Sequence, residues 1–141
     1  MTKKEVVIDS GLVTYDIKDK EGRCFGQFTF NPSDTDILKR HGEVIEAFEK
    51  IEIPNAEGKD LVEELKRVDK FFYKQIDYLL GFDSAESFFS IMGPLSPLAS
   101  GQFYIESVLD AIGQAISAET GERVKKISGK IAKHTSKYHR Q

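Results

Sequence analysis

Along the first thirty residues, polar and apolar positions alternate. In Leu12-Val13-Thr14-Tyr15-Asp16-Ile17-Lys18 the side chains of Val13, Tyr15 and Ile17 share one face. In Arg23-Cys24-Phe25-Gly26-Gln27-Phe28-Thr29-Phe30, so do Cys24, Phe28 and Phe30. A period of two is that of a half-buried strand. Asp19-Lys20-Glu21-Gly22 between them fits a type I turn with Gly22 at a left-handed position, so the two segments predict an antiparallel hairpin. Glu5 to Asp9 is a candidate third short strand, set off by Ser10-Gly11.

After Asn31 the period changes to that of a helix. From Asp34 to Ile51, the positions Ile37, Leu38, His41, Val44, Ile45 and Phe48 form one stripe. Pro54 to Gly58 reads as a loop. Lys59 to Leu80 repeats the pattern with Leu61, Leu65, Val68, Phe72, Ile76 and Leu79, and Gly81 follows as its C-terminal stop. A short helix capped by Asp83 or Ser84 carries Phe88, Phe89 and Ile91, and Gly93-Pro94 ends it. Gln102 to Ala118 is a further helix with Ile105, Val108, Leu109, Ile112 and Ile116 inward. Gly121 is expected to interrupt it, and a last amphipathic segment runs from Glu122 to Tyr138 with Val124, Ile127, Ile131 and Tyr138 on one side.

Strands first and helices after argue for an α+β fold. The expected architecture is an N-terminal antiparallel β-hairpin, with a candidate third strand, followed by a bundle of four to five helices. Residues 1–121 are expected to form a single domain, and residues 122–141 a basic amphipathic C-terminal helix or tail.

At 141 residues the chain can bury roughly 70% of the surface it exposes when unfolded, so its core needs no disulfide or metal. The single cysteine, Cys24, rules out an internal disulfide and fits a reducing compartment. The apolar run Val6-Val7-Ile8 is too short for a secretory leader, and no apolar stretch is long enough to span a bilayer. The cytoplasm is the expected location. Charge is uneven: residues 123–141 hold seven Lys and Arg and no acid, whereas the other 122 residues hold 13 basic and 23 acidic side chains. An acidic body with a basic end suits self-association or an acidic partner.

Candidate chemistry is thin. Asp34 and Asp36 with His41 downstream suggest a metal or catalytic cluster at first sight. Yet Pro32 stops the strand, Ser33 is placed to cap the helix by accepting from the Asp36 N–H, and both acids suit the first turn. His41 lies on the apolar stripe. His134 and His139 are five apart, a poor spacing for one helix face. Zinc-ligand, calcium-loop, phosphate-cradle and nucleophile-elbow motifs are missing, so no catalytic residue, metal or cofactor is expected. Cys24, mid-strand, is read as core. The basic end could bind phosphates, but the acidic body opposes this and nucleic acid is disfavoured.

Apolar excess is the stronger lead. Phe71-Phe72-Tyr73 and Phe88-Phe89 place aromatics at adjacent helical positions, about 100° apart. One stripe cannot cover both members. Either the helix is buried on two sides, or one ring meets a partner. The candidate partner or oligomer interface is therefore Phe71, Tyr73, Phe88 and Phe89, with Lys125, Lys126, Lys130, Lys133 and Lys137 of the basic end.

The order of these features resembles a known family. A hairpin ends in Phe28-Thr29-Phe30-Asn31-Pro32, and Asp34-Thr35-Asp36-Ile37 opens a helix. A second long helix ends in Ile76-Asp77-Tyr78-Leu79-Leu80-Gly81. Phe82-Asp83-Ser84-Ala85-Glu86-Ser87-Phe88-Phe89 follows, then Phe103-Tyr104-Ile105-Glu106-Ser107-Val108-Leu109-Asp110-Ala111-Ile112. Over about residues 12–118 this resembles the tail assembly chaperones of long-tailed phages and of prophages in Gram-positive hosts. The Pro94–Gly101 connection is longer than that pattern. The resemblance implies a non-enzymatic protein without cofactor that binds the tape measure protein, recruits tail tube protein and self-associates. The alternatives are another phage or bacterial structural or adaptor protein, or a small nucleic-acid-binding protein using its basic tail.

Overall fold

The computed structural model describes residues 2–52, 58–81 and 83–138, with the side chains of Lys59 and of residues 127–138 left undescribed. Of the loop expected over Pro54–Gly58, residues 54–57 lie outside the described residues. Two strands, β1 (Val13–Lys18) and β2 (Cys24–Phe30), pair antiparallel with Val13 opposite Phe30 and Tyr15 opposite Phe28. Four helices follow among the described residues: α1 (Ile37–Lys50), α2 (Lys59–Leu80), α3 (Ala85–Phe89) and α4 (Tyr104–Tyr138). The fold is α+β, sheet first.

The hairpin turn follows its sequence. The Gly22 N–H donates to Asp19 O at 3.1 Å, and Gly22 sits at φ +85°. The Asp19 carboxylate also accepts from the Glu21 and Arg23 N–H groups. Past the turn the alternation slips. Ile17 faces Gly26 but Lys18 faces Cys24, so Phe25 is an extra residue on β2. Such a bulge reverses side-chain direction beyond it. Cys24 is consequently exposed rather than in the core. Glu5 to Asp9, the candidate third strand, pairs with neither strand and is exposed coil.

The core lies where β2, α1, α2, α3 and the first half of α4 meet. Phe30, Ile37, Val44, Val68, Phe72, Ile76, Leu79, Ile105, Ile112 and Ile116 are buried there. Phe72 contacts Phe48 of α1 at a ring separation of 5.8 Å. Tyr73 of α2 meets Phe89 of α3 at 4.9 Å, and Phe28 of β2 meets Phe88 at 5.1 Å. Short α3 is thus wedged between sheet and helices.

Its N-terminus is capped by a neighbour. Ser84 holds the capping position but makes no side-chain cap bond; Asp77 of α2 instead accepts from the Ala85 N–H at 2.9 Å. Gly81 closes α2 in the left-handed region, its N–H donating to Asp77 O at 2.9 Å. One residue therefore ends one helix with its carbonyl and starts the next with its carboxylate.

The 35-residue α4 contradicts the expected break at Gly121, which lies inside the helix. One glycine costs about 1 kcal/mol, less than a new pair of helix ends would. The long Leu95–Gly101 connection is anchored to the start of α4 by a Pro97–Phe103 bridge and by Tyr104 N–H to Ser96 O at 2.9 Å.

Candidate functional site

The join between β2 and α1 differs from its expected cap. Helix α1 begins at Ile37, three residues after Asp34, and its capping residue Asp36 makes no side-chain cap bond. The local polar groups make two tight turns first. Asn31 Oδ1 accepts from the Ser33 N–H at 3.0 Å, and Asp34 Oδ1 accepts from the Asp36 N–H at 2.9 Å. Arg40 donates to Asp34 at 3.1 Å and to the Leu79 carbonyl at 3.2 Å, fastening the join to the end of α2. The Asp36 N–H and the Arg40 guanidinium hold the Asp34 carboxyl below its ordinary pKa. The Asp34 carboxylate is occupied in structure, whereas Asp36 contributes its backbone N–H.

The Ser33 hydroxyl, freed from capping, accepts from Arg123 Nε of α4 at 2.9 Å. Arg123 Nη1 donates to the Glu119 carboxylate at 2.9 Å and to the Glu119 carbonyl at 3.0 Å. The Tyr15 hydroxyl donates to the other Glu119 oxygen at 2.5 Å. These bonds keep the Glu119 carboxyl below its usual range, Tyr15 contributing most, and push the Tyr15 phenol up. Hairpin, join and α4 meet at this hub.

Beside the hub runs a groove of about 440 Å³ between the Pro32–Leu38 join and Thr120–Lys126 of α4. Its walls are mostly apolar. Leu38 is 54% exposed and Val124 55%. Both belong to stripes expected to be inward, but α1 begins only at Ile37 while α4 runs on past it, and the two side chains border the open groove. Thr120 Oγ1 is enclosed without a hydrogen-bond partner at the same place.

His41 points from α1 toward α4. Its ring packs so closely on Gly113 that a Cβ there would lie 3.0 Å from Nε2, and that nitrogen is enclosed without a partner. Asp110, Gln114 and Ser117 line the shallow recess around it with Ile45 and Leu109. Among the described residues no group of three or more His, Cys, Asp or Glu is placed to hold a metal ion.

The expected interface residues are not one patch. Phe88 and Phe89 are only 4% and 6% exposed, so the adjacent pair is buried on two sides within one copy. Phe71 is half-buried, edge-on to Phe72 at 5.5 Å, and Tyr73 is half-buried against Phe89. Tyr73 also borders a second recess with Lys66, Asp69, Lys70 and Lys74, where burial raises the Asp69 pKa. Lys125 and Lys126 are exposed on α4, and Lys126 stands at the groove. The side chains of Lys130, Lys133 and Lys137 lie outside the described residues. Sequence reasoning missed that Leu38 and Val124 border one groove. Val124 continues the inward stripe of α4, and no local feature tells that α1 has ended its contact before that point.

The groove offers burial of apolar groups beside the Arg123 and Lys126 side chains. Among the described residues no helix is long and apolar enough to cross a membrane. Compared with protein-family models, curated proteins and solved structures, the chain matches none.

Proposed function

We propose that this chain is a tail assembly chaperone of a long-tailed phage or prophage. In this reading it binds apolar helices of a tape measure protein, recruits tail tube protein and self-associates, with no catalytic step or cofactor. The observation that carries it is the open apolar groove at Leu38 and Val124, beside a helix that runs on past the packed body. A holdase needs apolar surface held open by a body whose core is complete without the client. Exposed leucine and valine on rigid elements, next to a buried Phe-rich core, answer that need. The order of hairpin and helices supports the same reading.

Co-expression tests it. A long helical protein encoded by an adjacent reading frame should be insoluble alone and soluble with this chain, and Leu38→Asp should abolish that rescue. Rescue that is unaffected by Leu38→Asp would remove the groove from the mechanism. Absence of any such neighbour, with no soluble complex, would sink the chaperone reading. The charge of residues 123–141 keeps the nucleic-acid alternative testable: duplex binding that falls steeply with salt and vanishes on removing those residues would favour it.

A further inference from the structure

Two apolar features of this chain stand open. One is the groove just described. The other is the N-terminal segment, in which Val6 and Val7 are 90% exposed and Ile8 is 79% exposed. Both are attached to the same small piece of structure. Asn31 Nδ2 donates to the Ser10 carbonyl at 2.8 Å. Gly11, at φ +77°, packs so closely on Ser33 that a Cβ would fall 2.6 Å from its Oγ. That same Oγ accepts from Arg123, on the groove wall. The segment therefore leaves the body at the mouth of the groove.

It leaves in a set direction. The Gly11 N–H donates to Asp9 Oδ1 at 3.0 Å and the Leu12 N–H to Ser10 Oγ at 3.4 Å, forming a turn that presents residues 5–9 outward. We propose that the groove between Pro32–Leu38 and Thr120–Lys126 receives the Glu5–Asp9 segment of a second copy of this chain, with Val6, Val7 and Ile8 covering Leu38 and Val124. Charge complementarity favours this occupant. Glu5 and Asp9 bracket the apolar triplet, with Lys3 and Lys4 before them. The groove edge carries exposed Lys126 and also Arg123, the latter already paired with Glu119, while the one acid of the lining, Asp34, is held by Arg40. The obvious competitor, pairing of two distal α4 segments along Val124, Ile127 and Ile131, would set the six cations of residues 123–138 of one copy against the same six of the other with no acid in either.

Exchange is reciprocal. In a two-fold pair each copy gives one segment and fills one groove, so the assembly closes and no apolar triplet is left over. Two weak contacts acting together hold more tightly than either alone. This deepens the self-association in the proposed function and rests on that reading for its biological role.

The test uses full-length chains in a Cys24→Ser background, since Cys24 is itself exposed. Val7→Cys and Val124→Cys are made as separate proteins and mixed under mild oxidation. The expected result is a disulfide-linked dimer in the mixture, well above that of either protein alone. Val7→Asp, at a site too exposed to affect folding, should weaken self-association roughly tenfold or more by sedimentation, from the loss of one buried valine. No link in the mixture overturns the exchange. So does a Val7→Cys/Val124→Cys double variant that closes only within its own chain, since the segment would then serve its own groove. Intact client rescue without the cross-link would sink the exchange alone, and a cross-link without rescue would sink the chaperone reading alone.

Discussion

The two halves of α4 carry the same apolar period and meet opposite fates. Ile105, Val108, Leu109, Ile112 and Ile116 are buried beneath α1, α2 and α3. Val124, two turns further on the same face, is more than half exposed. Spacing alone therefore predicts which side of a helix is apolar, and not whether anything covers it. Coverage is a property of the neighbours, and α1 has already given way to the turns at Asn31–Asp36 where α4 reaches Val124.

That contrast gives graded expectations. The largest concerns burial itself. Ile112→Ala should cost about 2–5 kcal/mol in chemical denaturation, as for other core truncations, whereas Val124→Ala should stay within about 0.5 kcal/mol. Equal costs would mean that Val124 is covered in the isolated chain and would erase the difference between the halves.

Next comes Tyr104, at the buried end. Its hydroxyl donates to the Phe88 carbonyl at 2.8 Å, and burial pushes its pKa up to about 12. A phenol whose folded pKa is raised above the unfolded value of 10.0 favours the fold fully below pH 10. That contribution is lost as pH rises toward about 12. Stability should accordingly fall across this alkaline range. Tyr104→Phe should flatten part of that fall while lowering neutral-pH stability by about 1 kcal/mol through the lost hydrogen bond. An unchanged alkaline limb would place the sensitivity elsewhere, for instance on Tyr15 or Tyr78.

Two glycines then separate the halves again. A Cβ added at Gly121 would meet nothing within 4 Å, so Gly121→Ala should stabilise by about 0.5–1 kcal/mol. At Gly113 the same methyl would press on His41 at 3.0 Å. Gly113→Ala should therefore gain clearly less, or lose, and thermal unfolding of the two variants side by side decides it.

The smallest effect belongs to the hub between the halves. Glu119, held below its unfolded value of 4.5 by Tyr15 and Arg123, supports the fold above that pH, and its support is lost as pH falls through the lower folded value. Glu119→Gln should flatten the acid limb by about 0.2–1 kcal/mol, as for a surface ion pair. A steeper acid limb in the variant would contradict the assignment.

The same contrast explains how far the sequence can be read. Helix α2 is legible from Lys59 to Leu80 because apolar spacing and the Gly81 stop agree. The hairpin turn is legible because Gly22 is needed at a positive φ. Cys24 escapes sequence reasoning because the bulge at Phe25 depends on cross-strand pairing, which alternation within one strand does not contain. Ser33 escapes it because its hydroxyl is claimed by Arg123, 90 residues away. Phe88 and Phe89 leave a choice between core and interface; Phe28 on one side and Tyr73 with Tyr104 on the other close both rings into the core. The groove is the least legible feature, because a gap between elements has no residues of its own.

The length of α4 has a mechanical consequence. Thirty-five helical residues span roughly 52 Å, while a compact chain of this size has a radius of gyration of about 14 Å. A rod of that kind transmits orientation as well as position. Anything that grips its last turns feels each rotation of the body as a sweep across many ångströms, so the hub of Tyr15, Ser33, Glu119 and Arg123 becomes the bearing that sets the rod's angle.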